Sequence, residues 1–260
     1  MKRIRICVAG ITGWAGRPVA EAIAAAPDLR LVSGVSRSAA GKQILGAPVF
    51  GAAREALDAS PADVLVDFTS AEAVKEDVLA ALGRGVHVVN GSSGLTAEDY
   101  AGIDRQATER RLGVIALANA SLMAALLQRF AVQAAGLLPS WEIVDYASAD
   151  KLDAPSGTSR QLAERLGGVR TPMLSRPIDQ VSGAREARGA TIAGTQVHSV
   201  RLPSYLVSTE VIFAQPGERL VLRHEPGESA APYVAGTLVA VRAVVGRVGL
   251  VRGLDALLFP

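Results

Sequence analysis

Residues Ile4 to Gly16, IRICVAGITGWAG, decide the fold. Ile4 to Ala9 is an apolar run broken only by Arg5, which predicts a strand buried on both faces of a parallel sheet. It passes straight into Gly10-Ile11-Thr12-Gly13-Trp14-Ala15-Gly16, and the apolar period from Arg17 to Ala25 then predicts a helix. Strand, glycine turn and helix in immediate succession turn a glycine pattern into the expectation of a dinucleotide site. Gly10 would permit the tight turn, Gly13 the close approach of a pyrophosphate, and Gly16 the packing of helix on strand. The spacing is G-x-x-G-x-x-G, a variant of the commoner G-x-G-x-x-G, and glycine turns that bind nothing can look the same.

Leu29 to Val35 reads as the second strand, and the residues just beyond it bear on the cofactor. An acidic residue at that strand's end would hold the ribose hydroxyls of NAD, whereas this chain has Ser36-Arg37-Ser38 with Lys42 shortly after. A cation and hydroxyls suit a 2′-phosphate, so NADPH is expected, with NADH as the alternative. A solvated loop arginine would read the same way. A connection containing Gly46, Pro48 and Gly51 leads to a short helix near Arg54 to Leu57, and then β and α patterns alternate. Strands are predicted at Val64 to Thr69, Val86 to Val89 and Val114 to Ala118, and helices at Ala71 to Leu82 and Ala97 to Arg111. The pattern predicts an α/β fold with a doubly wound parallel sheet.

After Ser121 the pattern changes. An amphipathic helix is predicted from Leu122 to Leu137 and a strand from Glu142 to Tyr146, followed by Lys151-Leu152-Asp153-Ala154-Pro155-Ser156-Gly157-Thr158-Ser159. Asp153, Pro155 and Gly157 forbid a continuous element, and Ser156 and Thr158 are both N-cap candidates for the helix that ends near Leu166. Such a loop converges the N–H groups of Gly157 and Thr158, two hydroxyls, a positive helix end and the charge of Lys151 on one point, which fits a carboxylate or phosphate. An ordinary capped helix beside a solvated lysine has the same sequence. A loop from Gly167 to Gly189 precedes three β-rich runs, near Thr191 to Leu202, Tyr205 to Phe213 and Arg219 to Arg223, which predict a mixed or antiparallel sheet. Ala230 to Val245 is helical again and is expected to return to the first domain. The expected division is a dinucleotide-binding domain of residues 1–120 and 229–260, and a substrate-binding and oligomerisation domain of residues 121–228.

Composition narrows the function. The chain has 260 residues, enough for two moderate domains, and a formal charge of +2 with 4% aromatic residues does not favour a nucleic-acid surface. No run approaches the apolar length of a membrane span, and the N-terminus has no signal-peptide arrangement, so a cytoplasmic location is expected. His87, His198 and His224 form no ligand pair, and no metal is expected. Cys7, the only cysteine, reads as a small core residue.

Taken in order, the glycine turn, VDFTS at Val66 to Ser70, NGSSG at Asn90 to Gly94, ANAS at Ala118 to Ser121, KLDAPSGTS at Lys151 to Ser159, HSVRLPSYLVSTEVIF at His198 to Phe213 and GERLVLRHE at Gly217 to Glu225 resemble the dihydrodipicolinate reductase family. The resemblance spans nearly the whole chain, and K-x-D-A-P-S-G-T is highly specific. It implies a Rossmann-type domain that receives the last helix back, an α+β domain whose open sheet assembles a homotetramer, a nicotinamide cofactor and a small carboxylate substrate. Carried over by position, it implies cofactor contacts at Gly10, Ile11, Thr12, Gly13, Trp14 and Ala15, at Ser36 and Arg37, and at Phe68 and Thr69. It implies further cofactor contacts at Gly91, Ser92 and Ser93, and at Leu117, Ala118, Asn119 and Ala120. Lys151, Ser156, Gly157 and Thr158 would hold a substrate carboxylate.

The sequence also departs from the family. Where the family has a His-His pair upstream of the lysine, this chain has Ala147 at the position of the catalytic proton donor and Ser148 at that of the adjacent substrate-contacting histidine. Trp14-Ala15 replaces the usual Arg-Met, and Val207-Ser208-Thr209 stands where Gly-Glu-His is usual. General acid catalysis contributes about 10²–10⁴-fold, so the loss must be met. The substrate could be a simpler imine already protonated, which is the expectation favoured, with Lys151 and the helix start as anchors. Alternatively Lys151 with a lowered pKa, Asp150 with a raised one, Tyr146 or Tyr205 supplies the proton, in an ordinary biosynthetic enzyme with a relocated acid. As a third reading, the protein binds dinucleotide and small acid without turnover.

Overall fold

The structure, a computed structural model, describes residues 3–259 and divides into two compact units. One takes the chain up to Leu122 and again from Ala230 on; the other is Met123–Ser229.

In the first unit, strands and helices alternate: β1 (Ile4–Ala9), α1 (Gly16–Ala25), β2 (Leu29–Val35), β3 (Gln43–Ile44), β4 (Ala47–Phe50), α2 (Ala53–Ala59), β5 (Val64–Asp67), α3 (Val74–Gly83), β6 (His87–Asn90), α4 (Ala97–Glu109) and β7 (Gly113–Ala116). β5 is buried at every position, as a central parallel strand covered on both faces should be. A capping box between Thr96 and Asp99 starts α4.

The second unit begins with α5 (Leu122–Leu137), β8 (Trp141–Ala147) and α6 (Gly157–Val169), and continues through β9 (Ala190–Ile192), β10 (Thr195–Arg201), β11 (Val207–Gln215) and β12 (Glu218–His224). The chain then re-enters the first unit as α7 (Ala231–Val244), β13 (Gly249–Arg252) and α8 (Leu254–Leu258).

The eight-stranded sheet runs β13-β7-β6-β5-β1-β2-β4-β3 and is parallel apart from the β3/β4 pair, which confirms the doubly wound α/β class. Its order reverses at β1, which has β2 on one side and β5 on the other. The second sheet, β12-β11-β8-β10-β9, is mixed: β8 and β10 are parallel and the remaining pairs antiparallel. β8 alternates strictly, with Trp141, Ile143, Asp145 and Ala147 buried and the residues between them half-buried. Its buried apolar side chains join Leu127 and Ala131 of α5 and Leu162 and Leu166 of α6 in one core.

Two local expectations are corrected and one element is added. The connection around Gly46 and Pro48 contains the hairpin β3/β4, turned through Leu45 and Gly46 at positive φ. Pro48 conceals it, being tolerated because it precedes the stretch of β4 that pairs with β2, which begins at Val49, and faces only the edge strand β3. The run from Thr191 to Leu202 is two strands, split at Ala193 and Gly194, which both have positive φ. The short tail after α7 adds the edge strand β13, paired in parallel with β7.

Candidate active site

The glycine turn follows β1, where the sheet order reverses and where open α/β sheets take ligands at the carboxyl ends of their strands. Gly10 has φ +78°, and a side chain there would place its Cβ 2.1 Å from the Phe68 carbonyl oxygen. A Cβ on Gly16 would fall 2.0 Å from the Gly10 carbonyl oxygen, so α1 sits on the turn as closely as backbone allows. The N–H groups of Thr12, Trp14 and Ala15 find no acceptor among the described residues. Unpaired donors before a helix N-terminus fit the pyrophosphate of a dinucleotide.

Two clefts flank this turn and share Gly13, Phe68 and Thr69. The larger, about 860 Å³, lies toward β2 and is lined by Thr12, Ser36, Arg37, Ser38, Arg54 and Glu72 among others. The Ser36 hydroxyl is 2.8 Å from that of Thr12 and 3.2 Å from that of Ser38. Glu72 is held below the usual carboxylate range by its hydrogen bond with Ser70, with a smaller contribution from Arg37. The smaller cleft, about 380 Å³, is lined by Trp14, Ala15, Gly91, Ser92, Ser93, Leu117, Ala118, Asn119, Ala120 and Tyr233. Of the residues implied as cofactor contacts, only Ile11 lines neither cleft; it is fully buried, against Gly34.

Asp67, at the end of β5, organises this region from beneath. Fully buried, it accepts hydrogen bonds from the Thr69 N–H (3.1 Å), the Thr69 hydroxyl (2.9 Å) and the Ser92 hydroxyl (2.5 Å). It thereby ties the Phe68-Thr69 turn to the loop after β6. Asp77 of α3 adjoins it: burial first, then the Asp67 charge and a hydrogen bond with it, push the Asp77 carboxyl up to about 7. Two buried carboxyls in contact cannot both ionise cheaply, so this pair holds a proton into neutral solution.

In the second unit Asp145 has the corresponding role. It lies on the buried face of β8 and accepts from the Ser156 N–H (2.9 Å) and hydroxyl (2.5 Å), the Ser159 hydroxyl (3.0 Å) and Arg201 (2.7 Å). Burial raises its pKa, but these hydrogen bonds outweigh burial and hold the carboxyl below its ordinary value. Arg201 also donates to the Asp153 carbonyl at 2.7 Å, closing the loop on the sheet. Ser156 caps α6, and its hydroxyl is committed to Asp145, so it is part of what holds the loop in place. The Lys151 ammonium pairs with Asp153 at 2.6 Å.

The structure narrows the proton donors. Ala147 is fully buried. Asp150 does not have the raised pKa expected of an acid: its hydrogen bond with Ser148 lowers it, so it is ionised in neutral solution. Tyr146 projects from the opposite face of β8 to Asp145 and Ala147, stacked on Tyr205 at 5.1 Å with the Arg223 guanidinium 4.9 Å from its ring. Neither tyrosine shares the face on which Asp145 holds the loop before α6. Lys151 is the remaining protonic group on that loop among the candidates.

Sequence reasoning missed Asp67, Asp77, Asp145, Arg201, Arg54 and Tyr233. For two of them a signal was present. Asp67 ends a wholly apolar run, and Asp145 shares parity with Trp141 and Ile143 on an alternating strand, so each is a carboxylate directed inward. No group of three or more His, Cys, Asp or Glu fit to hold a metal occurs among the described residues. Among these residues no helix is long and apolar enough to cross a membrane.

A glycine turn at the strand-order reversal, a two-part cleft across it and a second unit whose loop before α6 is tied to Asp145 are the features of a nicotinamide-dependent oxidoreductase. Residues 4–120 match the family model described as dihydrodipicolinate reductase, N-terminus, and residues 120–258 that for its C-terminus. The chain belongs to the dihydrodipicolinate reductase family. It is 36% identical over 255 residues to the 4-hydroxy-tetrahydrodipicolinate reductase of Streptococcus gordonii, covering 98% of this chain and 99% of that one. The enzyme of the same name from Desulfitobacterium hafniense is 34% identical over 264 residues, 98% of each chain. Among solved structures, the dipicolinate-bound dihydrodipicolinate reductase from Paenisporosarcina sp. TG-14 superposes with a TM-score of 0.80 at 27% identity, covering 97% of this chain and 98% of that one. GenD2 from gentamicin A biosynthesis, solved with NAD, shares the fold alone, with a TM-score of 0.67 at 17% identity over 98% of this chain and 90% of that one.

Proposed function

We propose that this protein reduces 4-hydroxy-tetrahydrodipicolinate with NADPH, the reaction for which its relatives are named. The observation that supports this best is the Asp145-centred loop, which presents the start of α6 and Lys151 to a carboxylate, in a chain alike over 98% of its length to those reductases. The cofactor supplies hydride; the residues of this chain hold the substrate and furnish the proton. Gly157 and Thr158 grip a carboxylate at the helix mouth; once the 4-hydroxyl has left as water, hydride adds at one end of the C=C bond so formed and Lys151 donates the proton at the other. Arg37 and Ser38, lining the larger cleft, favour the 2′-phosphate of NADPH over NADH. The protein works in the cytoplasm as a homotetramer assembled through its mixed sheet.

A second reading rests on Ala147, whose buried methyl replaces the family's proton donor. On that reading the substrate is a simpler cyclic imino acid that arrives as an iminium and needs no acid. One assay separates the two. Purified protein and NADPH are mixed with 4-hydroxy-tetrahydrodipicolinate, Δ1-piperideine carboxylate and Δ1-pyrroline carboxylate in turn, and loss of the reduced-nicotinamide absorbance is followed. Turnover of the first, at about 1–10³ s⁻¹, supports the main reading. Turnover of only the simple imines supports the second, and tight NADPH binding with no turnover sinks both.

A further inference from the structure

Trp14 and Tyr233 come from opposite ends of the first unit's sequence and meet ring to ring at the smaller cleft, centroids 5.6 Å apart and planes at 76°. Trp14 is 50% exposed although braced by another aromatic, so a large apolar face is held ready and left uncovered. Tyr233 is brought there by α7, whose Gly236 lies so close to the Ala120 carbonyl oxygen that a Cβ would fall 2.0 Å from it. That approach sets α7 against the loop after β7, and the Thr237 hydroxyl bonds back to the Tyr233 carbonyl at 2.7 Å. The phenol is half-buried, and its hydroxyl has no hydrogen-bond partner among the described residues. Burial pushes its pKa up, so it is a donor throughout the neutral range. Buried tyrosine hydroxyls are normally paired, and one left unpaired at a cleft is matched to a ligand acceptor.

The strand order says which part of the ligand that is. The cleft toward β2 is the adenosine side of the glycine turn, so the cleft over β5, β6 and β7 takes the nicotinamide. Nicotinamide offers a flat ring to an aromatic wall and one strong acceptor, its carboxamide oxygen. We infer that Tyr233, braced edge-on by Trp14, donates a hydrogen bond to the nicotinamide carboxamide and thereby fixes the orientation in which the ring presents its hydride. The inference rests on the nicotinamide-dependent reading of the chain and deepens it. It also gives a role to Trp14, which stands where the family has an arginine.

The test compares ligands with and without the nicotinamide. Calorimetric titrations of the whole protein use NADPH against 2′-phospho-ADP-ribose, and in parallel NADH against ADP-ribose. Tyr233→Phe keeps the ring and its packing and removes only the hydroxyl. The expected result is a weakening of about three- to tenfold for the reduced dinucleotides, the range of one hydrogen bond, with the truncated ligands unchanged. Trp14 supplies a second readout: it lies at the cleft, whereas the other tryptophan, Trp141, is buried in the second unit. Energy transfer from Trp14 to bound reduced nicotinamide should therefore be lost in Trp14→Phe and change in efficiency in Tyr233→Phe. Equal affinity for the reduced dinucleotides in wild type and Tyr233→Phe overturns the inference, as does a loss shared equally by the truncated ligands. If the wild-type protein binds none of the four, the cofactor reading itself fails, which the comparison of variants distinguishes.

Discussion

Asp67 and Asp77 put a titratable pair beneath the clefts that flank the glycine turn, and its pH dependence has a definite sign. The Asp77 carboxyl has a folded-state value of about 7, against an ordinary 3.8. The folded protein therefore binds more protons than the unfolded chain between those values, and stability must fall as pH rises from about 4 to about 7. Asp77→Asn keeps the shape and a hydrogen bond to Asp67 but does not titrate, so its melting temperature should lose that downward slope and exceed the wild type's above pH 7. Thermal unfolding of both proteins across this range checks it; parallel curves would show that the pair does not share a proton. Asp145 is the opposite case, a buried carboxylate kept ionised by Ser156, Ser159 and Arg201. Asp145→Asn leaves the Arg201 guanidinium largely buried without its counter-charge, which costs about 3–5 kcal/mol. Urea unfolding should show that loss as a lower midpoint, and a loss under about 1 kcal/mol would mean that water already reaches the pair.

The loop before α6 is an element with two separable parts, a frame and the face that the proposed function makes its working one. Ser156 belongs to the frame, since its hydroxyl caps α6 and bonds Asp145. Ser156→Ala removes both interactions and should cost about 1–3 kcal/mol of stability in urea unfolding. Lys151 belongs to the face, its ammonium partly exposed and paired only with Asp153. Lys151→Ala should leave stability within about 1 kcal/mol while raising KM many-fold if the lysine anchors, or chiefly lowering kcat if it is the acid. The frame was harder to read than the face. Gly157, Thr158 and Lys151 announce themselves by chemistry local in sequence, whereas Asp145, Ser199 and Arg201 reach the loop across the sheet. Neighbours on adjacent strands are set by register, which depends on packing between distant segments. The strands β1, β5, β6 and β7 were legible because a parallel strand buried on both faces is a continuous apolar run. The β3/β4 hairpin was not, because its cues are a proline and positive φ at Leu45, a leucine where glycine or asparagine is the usual sign.

At the scale of the molecule, the first unit is discontinuous: α7 packs on α1, and the Arg242 guanidinium pairs with Asp28 at 2.7 Å, joining segments more than two hundred residues apart. The two units have separate apolar cores, one around Leu65, Val78 and Ile103 and one around Ile143, Leu162 and Phe213. The two clefts that flank the glycine turn, where the proposed function puts the dinucleotide, are lined wholly by residues of the first unit. A ligand that binds only the folded state of one unit stabilises that unit by RT ln(1 + [L]/Kd), about 2.7 kcal/mol at a hundredfold excess over Kd. The two tryptophans report the units separately, Trp14 the first and Trp141 the second. In Trp141→Phe, fluorescence follows the first unit, and NADPH at that excess should move its urea midpoint upward by the full linkage amount. In Trp14→Phe, it follows the second unit, and the same addition should move its midpoint much less, because the clefts draw no lining residue from that unit. Equal shifts at both probes would mean that the units unfold as one, so that dinucleotide binding also secures the substrate loop. Unequal shifts would mean that the two units unfold independently, each held by its own core.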